Sequence, residues 1–208
     1  MKTKNTTLLN IEENRKYYSQ SDGNFMDLQK SRFAHRHIDR IKWLVEKVHM
    51  YDSRTHISIG CKDGYEVITL AEMGVDAIGV DPSEDAIADA RLKAQQLGYD
   101  PLEMFKVGFL EDMPDGLVAD TVSMLEVLEH VVDAESAIEK LSKMGRAVLL
   151  STPDAKGRHG MKDSERNQEH VRVFTKKELE ELVSKYGKIE ESVIRDDQIC
   201  ISFKPNKQ

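Results

Sequence analysis

Two groups of residues in this 208-residue chain have types and spacings that could do chemistry. The first is "EVLEH", which sets Glu126, Glu129 and His130 at i, i+3 and i+4. In a single helical turn all three would point to one side. Two carboxylates and an imidazole form an oxygen-rich, nitrogen-assisted site suited to Mg²⁺, Mn²⁺ or a related divalent ion. A further histidine, His170, stands in "NQEHVRVF", after a polar stretch that follows an apolar run. Histidine changes protonation near neutral pH, so His130 and His170 are also candidates for a base that removes a proton from an attacking hydroxyl. They rank ahead of His35 and His37. Three readings stay open for "EVLEH": a metal site with His170, a substrate-facing histidine, and a turn with no role beyond structure.

The second group is "SIGCKDG", where Gly60 and Gly64 close an apolar run and open a helix-like one. Glycines allow positive φ and let backbone come close to a ligand, and the helix that follows offers unpaired N–H groups. With only two glycines the turn falls short of the G-x-G-x-x-G of a pyrophosphate cradle. Lys62 sits where a third glycine could stand, and is expected to face outward. About 20 residues on, "GVDPS" places Asp81 at a strand tip, where a carboxylate can accept bonds from both hydroxyls of a ribose.

The elements that must hold these groups alternate along the chain. A broad apolar stripe at helical period, with Phe33, Ile38, Ile41, Trp43, Leu44, Val45 and Val48, predicts a helix over 28–50. Then "HISI", "DAIGVD", "EMFKVGF", "ADTVSML" and "RAVLLST" read as five strands. Helices lie between the first three in "GYEVITLAEMG" and "PSEDAIADARLKAQQLG", the latter bounded by Pro82, Ser83 and Gly98, and "AESAIEKLSKMG" precedes the fifth. Strands alternating with helices imply parallel pairing with right-handed crossovers. After the helix "TKKELEELVSKYG", the runs "KIEESVIRDD" and "QICISFKP" are joined as a hairpin would be. The expected fold is α/β: a doubly wound, mostly parallel seven-stranded sheet with an antiparallel C-terminal strand. Residues 1–50 form an N-terminal arm and helix, and residues 51–208 the domain proper.

Taken together, "SIGCKDG", "GVDPSEDAIADAR", "ADTVSMLEVLEH" and "LLSTPD" resemble the class I S-adenosylmethionine-dependent methyltransferases, over residues 55–204. The resemblance implies a Rossmann-like methyltransferase fold and S-adenosyl-L-methionine as cofactor. It places Gly60, Cys61 and Gly64 under the methionine part, Asp81 on the ribose, Phe109 and Leu110 of "VGFLEDMP" beside the adenine, and Leu125 on the floor near the sulfonium. Where the family has an acidic residue at the start of its first motif, this chain has Ser58, and where it has glycine, Lys62. E-x-x-E-H is similar to the motif of ubiquinone-biosynthesis O-methyltransferases. With a downstream histidine it is also found in RNA 2′-O-methyltransferases that cap small-RNA 3′ ends. Both imply a divalent cation on Glu126, Glu129, His130 and His170.

Composition narrows the partners. A net charge of −7 argues against a protein that grips nucleic acid through a general positive field, although residues 30–42 are locally basic, a solvated helix face or a contact surface for an anion. No apolar run reaches the roughly 20 residues of a membrane span. The first residues carry no secretory h-region, which predicts a cytoplasmic protein with Cys61 and Cys200 as thiols. The favoured reading is methyl transfer to a small-molecule acceptor at oxygen, with Tyr17 and Tyr18 placed to close over the donor or to pack the arm. The alternatives are a metal-assisted RNA ribose 2′-O-methyltransferase and a degenerate, non-catalytic cofactor-binding domain.

Overall fold

The structure, a computed structural model, describes residues 34–157 and 170–206 of the chain. Tyr17, Tyr18, the first turns of the 28–50 helix and most of the 153–171 loop lie outside the described residues.

Helix α1 (Ala34–Met50) is followed by strand β1 (Thr55–Ile59), α2 (Tyr65–Glu72), β2 (Asp76–Asp81), α3 (Glu84–Gln96), the single turn α4 (Pro101–Met104) and β3 (Phe105–Val107). Then come β4 (Ala119–Leu125), α5 (Ala134–Met144), β5 (Gly145–Pro153), α6 (Lys176–Val183), β6 (Gly187–Arg195) and β7 (Gln198–Pro205). All seven strands form one sheet in the order β3-β2-β1-β4-β5-β7-β6. Pairing is parallel from β3 to β5, and β7 runs antiparallel to both neighbours. The sheet is therefore the doubly wound one expected, with its antiparallel strand inserted between β5 and β6.

Central strands read as continuous buried runs because helices cover both faces. On one side Ile57, Ile59, Val122, Met124, Val148 and Leu150 pack against Ile138 and Leu141 of α5 and Leu179 and Val183 of α6. On the other, Leu149 and Phe105 meet Trp43 and Leu44 of α1, Val67 and Leu70 of α2, and Ile87 and Ala90 of α3. His56 is buried on β1, its ring nitrogens 2.8 Å from Thr121 Oγ1 and 3.0 Å from Ser123 Oγ. Burial lowers its pKa to about 3, so it is a neutral structural histidine.

Local chemistry sets the boundaries. Ser83 caps α3 through Ala86 N, and Thr175 with Glu178 forms a capping box at α6. Asp196 and Asp197, at φ 44° and 64°, make the tight β6–β7 turn. The third strand is shorter than its sequence run, because Asp100 caps Pro101 and draws 101–104 into a helical turn. Helix α1 is fixed to the far edge of the sheet. Trp43 Nε1 donates to Glu191 Oε2 at 2.8 Å, Lys47 Nζ lies 3.0 Å from Glu191 Oε1, and Asp39 pairs with Arg195 at 3.1 Å. Among the described residues no helix is long and apolar enough to cross a membrane.

Candidate active site

Strand order reverses between β1 and β4, so the crevice beyond their carboxyl ends is the place for a ligand. The turn after β1 takes left-handed backbone at Gly60 (φ 76°), Lys62 (φ 49°) and Gly64 (φ 75°). Gly60 and Cys61 both donate their N–H to Val80 O, which pins the turn to β2. The tip of β2 holds it from beneath: Asp81 Oδ2 accepts Lys62 N–H and Oδ1 accepts Ser83 N–H, each at 2.9 Å. Burial raises the Asp81 pKa, against the opposing effect of these two N–H groups. A Cβ at Gly60 would run into Val127, and one at Gly64 into Phe105 and Ala90. Glycine at both positions thus also meets a packing demand, beyond the ligand approach read from sequence. Lys62 is exposed, and rather than facing away it also lines the cavity beyond this turn.

Beyond this turn lies a cavity of about 860 Å³. Gly60, Cys61 and Leu125, three of the expected cofactor residues, line it, together with Glu126 and His130. The others stand elsewhere. Gly64 lies beneath the turn, Asp81 behind it, and Phe109 is half-buried before the 3-10 turn Leu110–Asp112. Leu110 is a correction: that turn rolls its side chain into the main core, with 5% exposure, away from the cavity.

Of the cavity-lining side chains, Glu66 and Arg40 were not singled out from sequence, and His37 was ranked behind His130 and His170. Glu66 of α2 is buried at 6% exposure, and its carboxylate accepts the Ser58 hydroxyl of β1. Burial raises its pKa to about 7, with the Ser58 bond and the Arg40 charge acting in the opposite sense. From α1, Arg40 Nη2 lies 2.8 Å from His37 Nδ1 and Nη1 4.0 Å from Glu126 Oε2, while its buried Nε has no partner. His37 is lowered to about 4 by burial and by Arg40, and so accepts as a neutral ring. The available signal was Glu66 among the apolar residues of "YEVITL", eight positions after a buried serine.

After β4 the chain departs from the expected single turn. Glu126 takes left-handed backbone (φ 58°), and the 3-10 turn spans only Leu128–His130. Glu126 therefore lies near Glu129 and His130 without joining the set of ligand atoms they form with His170. Its Oε1 instead accepts Ser151 Oγ–H at 2.9 Å. Glu129 is buried, with Oε2 accepting from Thr152 Oγ1 at 3.0 Å and Oε1 3.9 Å from His130 Nε2. Val171 N–H and Arg172 N–H both donate to Glu129 O, which seats His170 against the turn. The two imidazoles meet edge-on with centroids 4.7 Å apart.

One ligand atom from each of Glu129, His130 and His170 lies within 4.8 Å of the others. Burial, then the charge of Glu126, pushes the Glu129 carboxyl well above its usual pKa. A buried carboxylate beside two imidazole nitrogens at this spread fits a divalent ion, whose ligands stand about 2 Å from it. Glu126 is outside this group.

A family model described as "Methyltransferase domain" matches residues 16–187. Ubiquinone biosynthesis O-methyltransferases of Pseudomonas paraeruginosa (strain DSM 24068 / PA7) and Acinetobacter baumannii (strain AYE) are 33% and 30% identical to this chain over 118 residues. These alignments cover 54% of this chain and 50% and 49% of theirs, so the chain spans about half the length of the curated relatives it matches. Magnesium protoporphyrin IX methyltransferase from Synechocystis PCC 6803, solved with bound SAH, superposes with TM-score 0.67 at 21% identity, over 96% of each chain. A protein from Pyrococcus horikoshii OT3 gives TM-score 0.69 at 17% identity, over 86% of this chain and 94% of its own. At these identities the two structures speak for the fold.

Proposed function

The chain belongs to the methyltransferase-domain family, and from that premise we propose that it moves the methyl group of S-adenosyl-L-methionine to an oxygen of a small-molecule acceptor. One observation carries the reading: the glycine turn of β1 and the histidine turn of β4 open onto the same cavity, through Gly60 and Cys61 on one side and His130 on the other. At about 860 Å³ that cavity suits a nucleoside-sized ligand with an acceptor beside it.

The reaction is an in-line displacement, in which the acceptor oxygen bonds to the methyl carbon as the carbon–sulfur bond breaks and the sulfonium becomes a thioether. The hydroxyl proton passes to His130, with His170 packed against it. The chain otherwise aligns donor and acceptor and keeps water out. In this reading residues 51–208 form the donor-binding domain, and the helix of 1–50 supplies one cavity wall. In place of that proton transfer, Glu129, His130 and His170 would hold a divalent cation, which would lower the pKa of the acceptor hydroxyl while His130 serves as a ligand rather than as the base. Turnover should then fall in chelator and return with Mg²⁺ or Mn²⁺; unchanged turnover removes the ion from the reaction.

The charge of the cavity wall supports a small acceptor over RNA. Among the described lining residues Arg36, Arg40, Lys62 and Lys93 are balanced by Asp63, Glu66, Glu72 and Glu126. Recognition of an RNA backbone asks for an excess of phosphate-contacting cations. The test is calorimetry with S-adenosylmethionine and its demethylated product, followed by label transfer to hydroxylated small molecules and to RNA oligonucleotides. Absence of binding to either cofactor form would leave a non-catalytic domain, and methylation of RNA alone would replace the small acceptor.

A further inference from the structure

Glu66 is an expensive residue for its position. Its helix packs Val67 and Leu70 into the core, where an apolar side chain would serve packing as well, and burial of its carboxyl is opposed by the charge of Arg40 and one hydroxyl. Among the described residues its hydrogen-bond partner is the neutral Ser58 hydroxyl. Yet Glu66 lines the cavity beside Gly60 and Cys61. Arg40 lines the same cavity with a buried Nε that has no acceptor. A buried carboxyl held by one hydroxyl and a guanidinium whose Nε has no acceptor line one hollow.

From this pairing we infer that Glu66 binds the α-ammonium group of the methyl donor's amino-acid moiety, Ser58 fixing its orientation and Arg40 taking the donor's carboxylate. The assignment rests on the methyltransferase reading and goes beyond it, naming the residue that distinguishes an amino-acid-bearing nucleoside from a plain one. It also accounts for Ser58: the acid that would otherwise sit on β1 is delivered from the facing helix, and a short hydroxyl leaves room for it.

Protonation follows. Around Glu66 the ionisable neighbours are Arg40 from α1, Asp63 in the turn after β1 and Asp81 at the tip of β2. Ligand ammonium binds the ionised carboxylate, so a group that titrates at about 7 weakens binding on the acid side.

The experiment is titration calorimetry of the full chain with two ligands that share a thioether nucleoside. S-adenosylhomocysteine carries the amino acid, and 5′-methylthioadenosine lacks it. Expected for the wild type is S-adenosylhomocysteine affinity falling about tenfold from pH 8 to pH 6, with methylthioadenosine affinity flat. Glu66→Gln, which keeps the size and accepts from Ser58, should weaken S-adenosylhomocysteine at least about tenfold at pH 8, remove its pH dependence and leave methylthioadenosine alone. Unchanged S-adenosylhomocysteine affinity in the variant, or equal loss for both ligands, overturns the assignment and leaves the methyltransferase reading standing. A wild type that binds neither ligand overturns both. Should the variant fail to fold, the wild-type pH profiles decide: parallel profiles for the two ligands overturn the assignment.

Discussion

The turns after β1 and β4 are built on one plan and equipped for different partners. Each carries a non-glycine residue in left-handed backbone, Lys62 and Glu126. Each stands over a buried carboxylate with a raised pKa, Glu66 and Glu129, steadied by a strand hydroxyl, Ser58 and Thr152. Around Glu129 the neighbours are imidazoles, soft nitrogen donors that can share a proton or an ion. Around Glu66 they are the Arg40 guanidinium and the carboxyls of Asp63 and Asp81. In the proposed reading the same cost of carboxylate burial would serve reaction chemistry at one turn and donor recognition at the other.

The largest effect that would separate the two turns is on rate. His130→Ala should lower methyl transfer about 10²–10⁴-fold while S-adenosylhomocysteine affinity stays within about twofold, measured by product formation and calorimetry. Equal damage to both would mean that the turns are one functional unit. Next is stability at their point of contact. Gly60→Ala forces a side chain into Val127 in left-handed backbone, for a loss of about 3 kcal/mol in urea unfolding. Val127→Ala in the same chain should recover part of it, and full additivity would show that the turns do not touch.

A third test uses pH. Glu66 has a folded pKa above its unfolded value of 4.5, so its stabilising contribution is full below pH 4.5 and is lost as pH rises through about 7. Unfolding of the ligand-free wild type should therefore lose about 3 kcal/mol at most across that window relative to Glu66→Gln. His56 acts in the opposite sense, its stabilisation lost as pH falls below 6.5, and cancels in the comparison because both chains carry it. A flat difference would mean that Glu66 is solvated. The smallest effect belongs to Lys62→Gly, which relieves left-handed strain but frees the unfolded chain, for a net gain of about 1 kcal/mol or less by urea unfolding. A clear loss would show that the lysine holds the turn.

The order of strands and helices was legible because period and punctuation agree, as at Ser83 and Gly98 around α3 and at the Asp196–Asp197 turn. So was the place of Gly60, Cys61, Leu125 and His130 on one cavity, since strand ends of a doubly wound sheet converge. Glu126 was not. A helical spacing assumes helical backbone, and one left-handed residue rotates its side chain out of the set. Leu110 was misread because the 3-10 turn, too short to show periodicity, decides which way it faces. Glu66 was hidden for a different reason: an acid in a short amphipathic helix looks solvated until the serine across from it is known to be buried. Arg40 and His37 sat in a basic run whose two faces cannot be told apart before the helix is docked.

The docking of α1 also sets a timetable. Its Trp43 and Lys47 are satisfied by Glu191, and its Asp39 by Arg195, partners that leave the ribosome some 150 residues later. A nascent chain can pair β1 to β4 and pack Trp43 and Leu44 against Leu149 early, yet the helix that bears Arg40 lacks these polar anchors until the β6–β7 hairpin emerges. The cavity wall that bears Arg40 is therefore locked in place later than the β1–β4 crevice it faces.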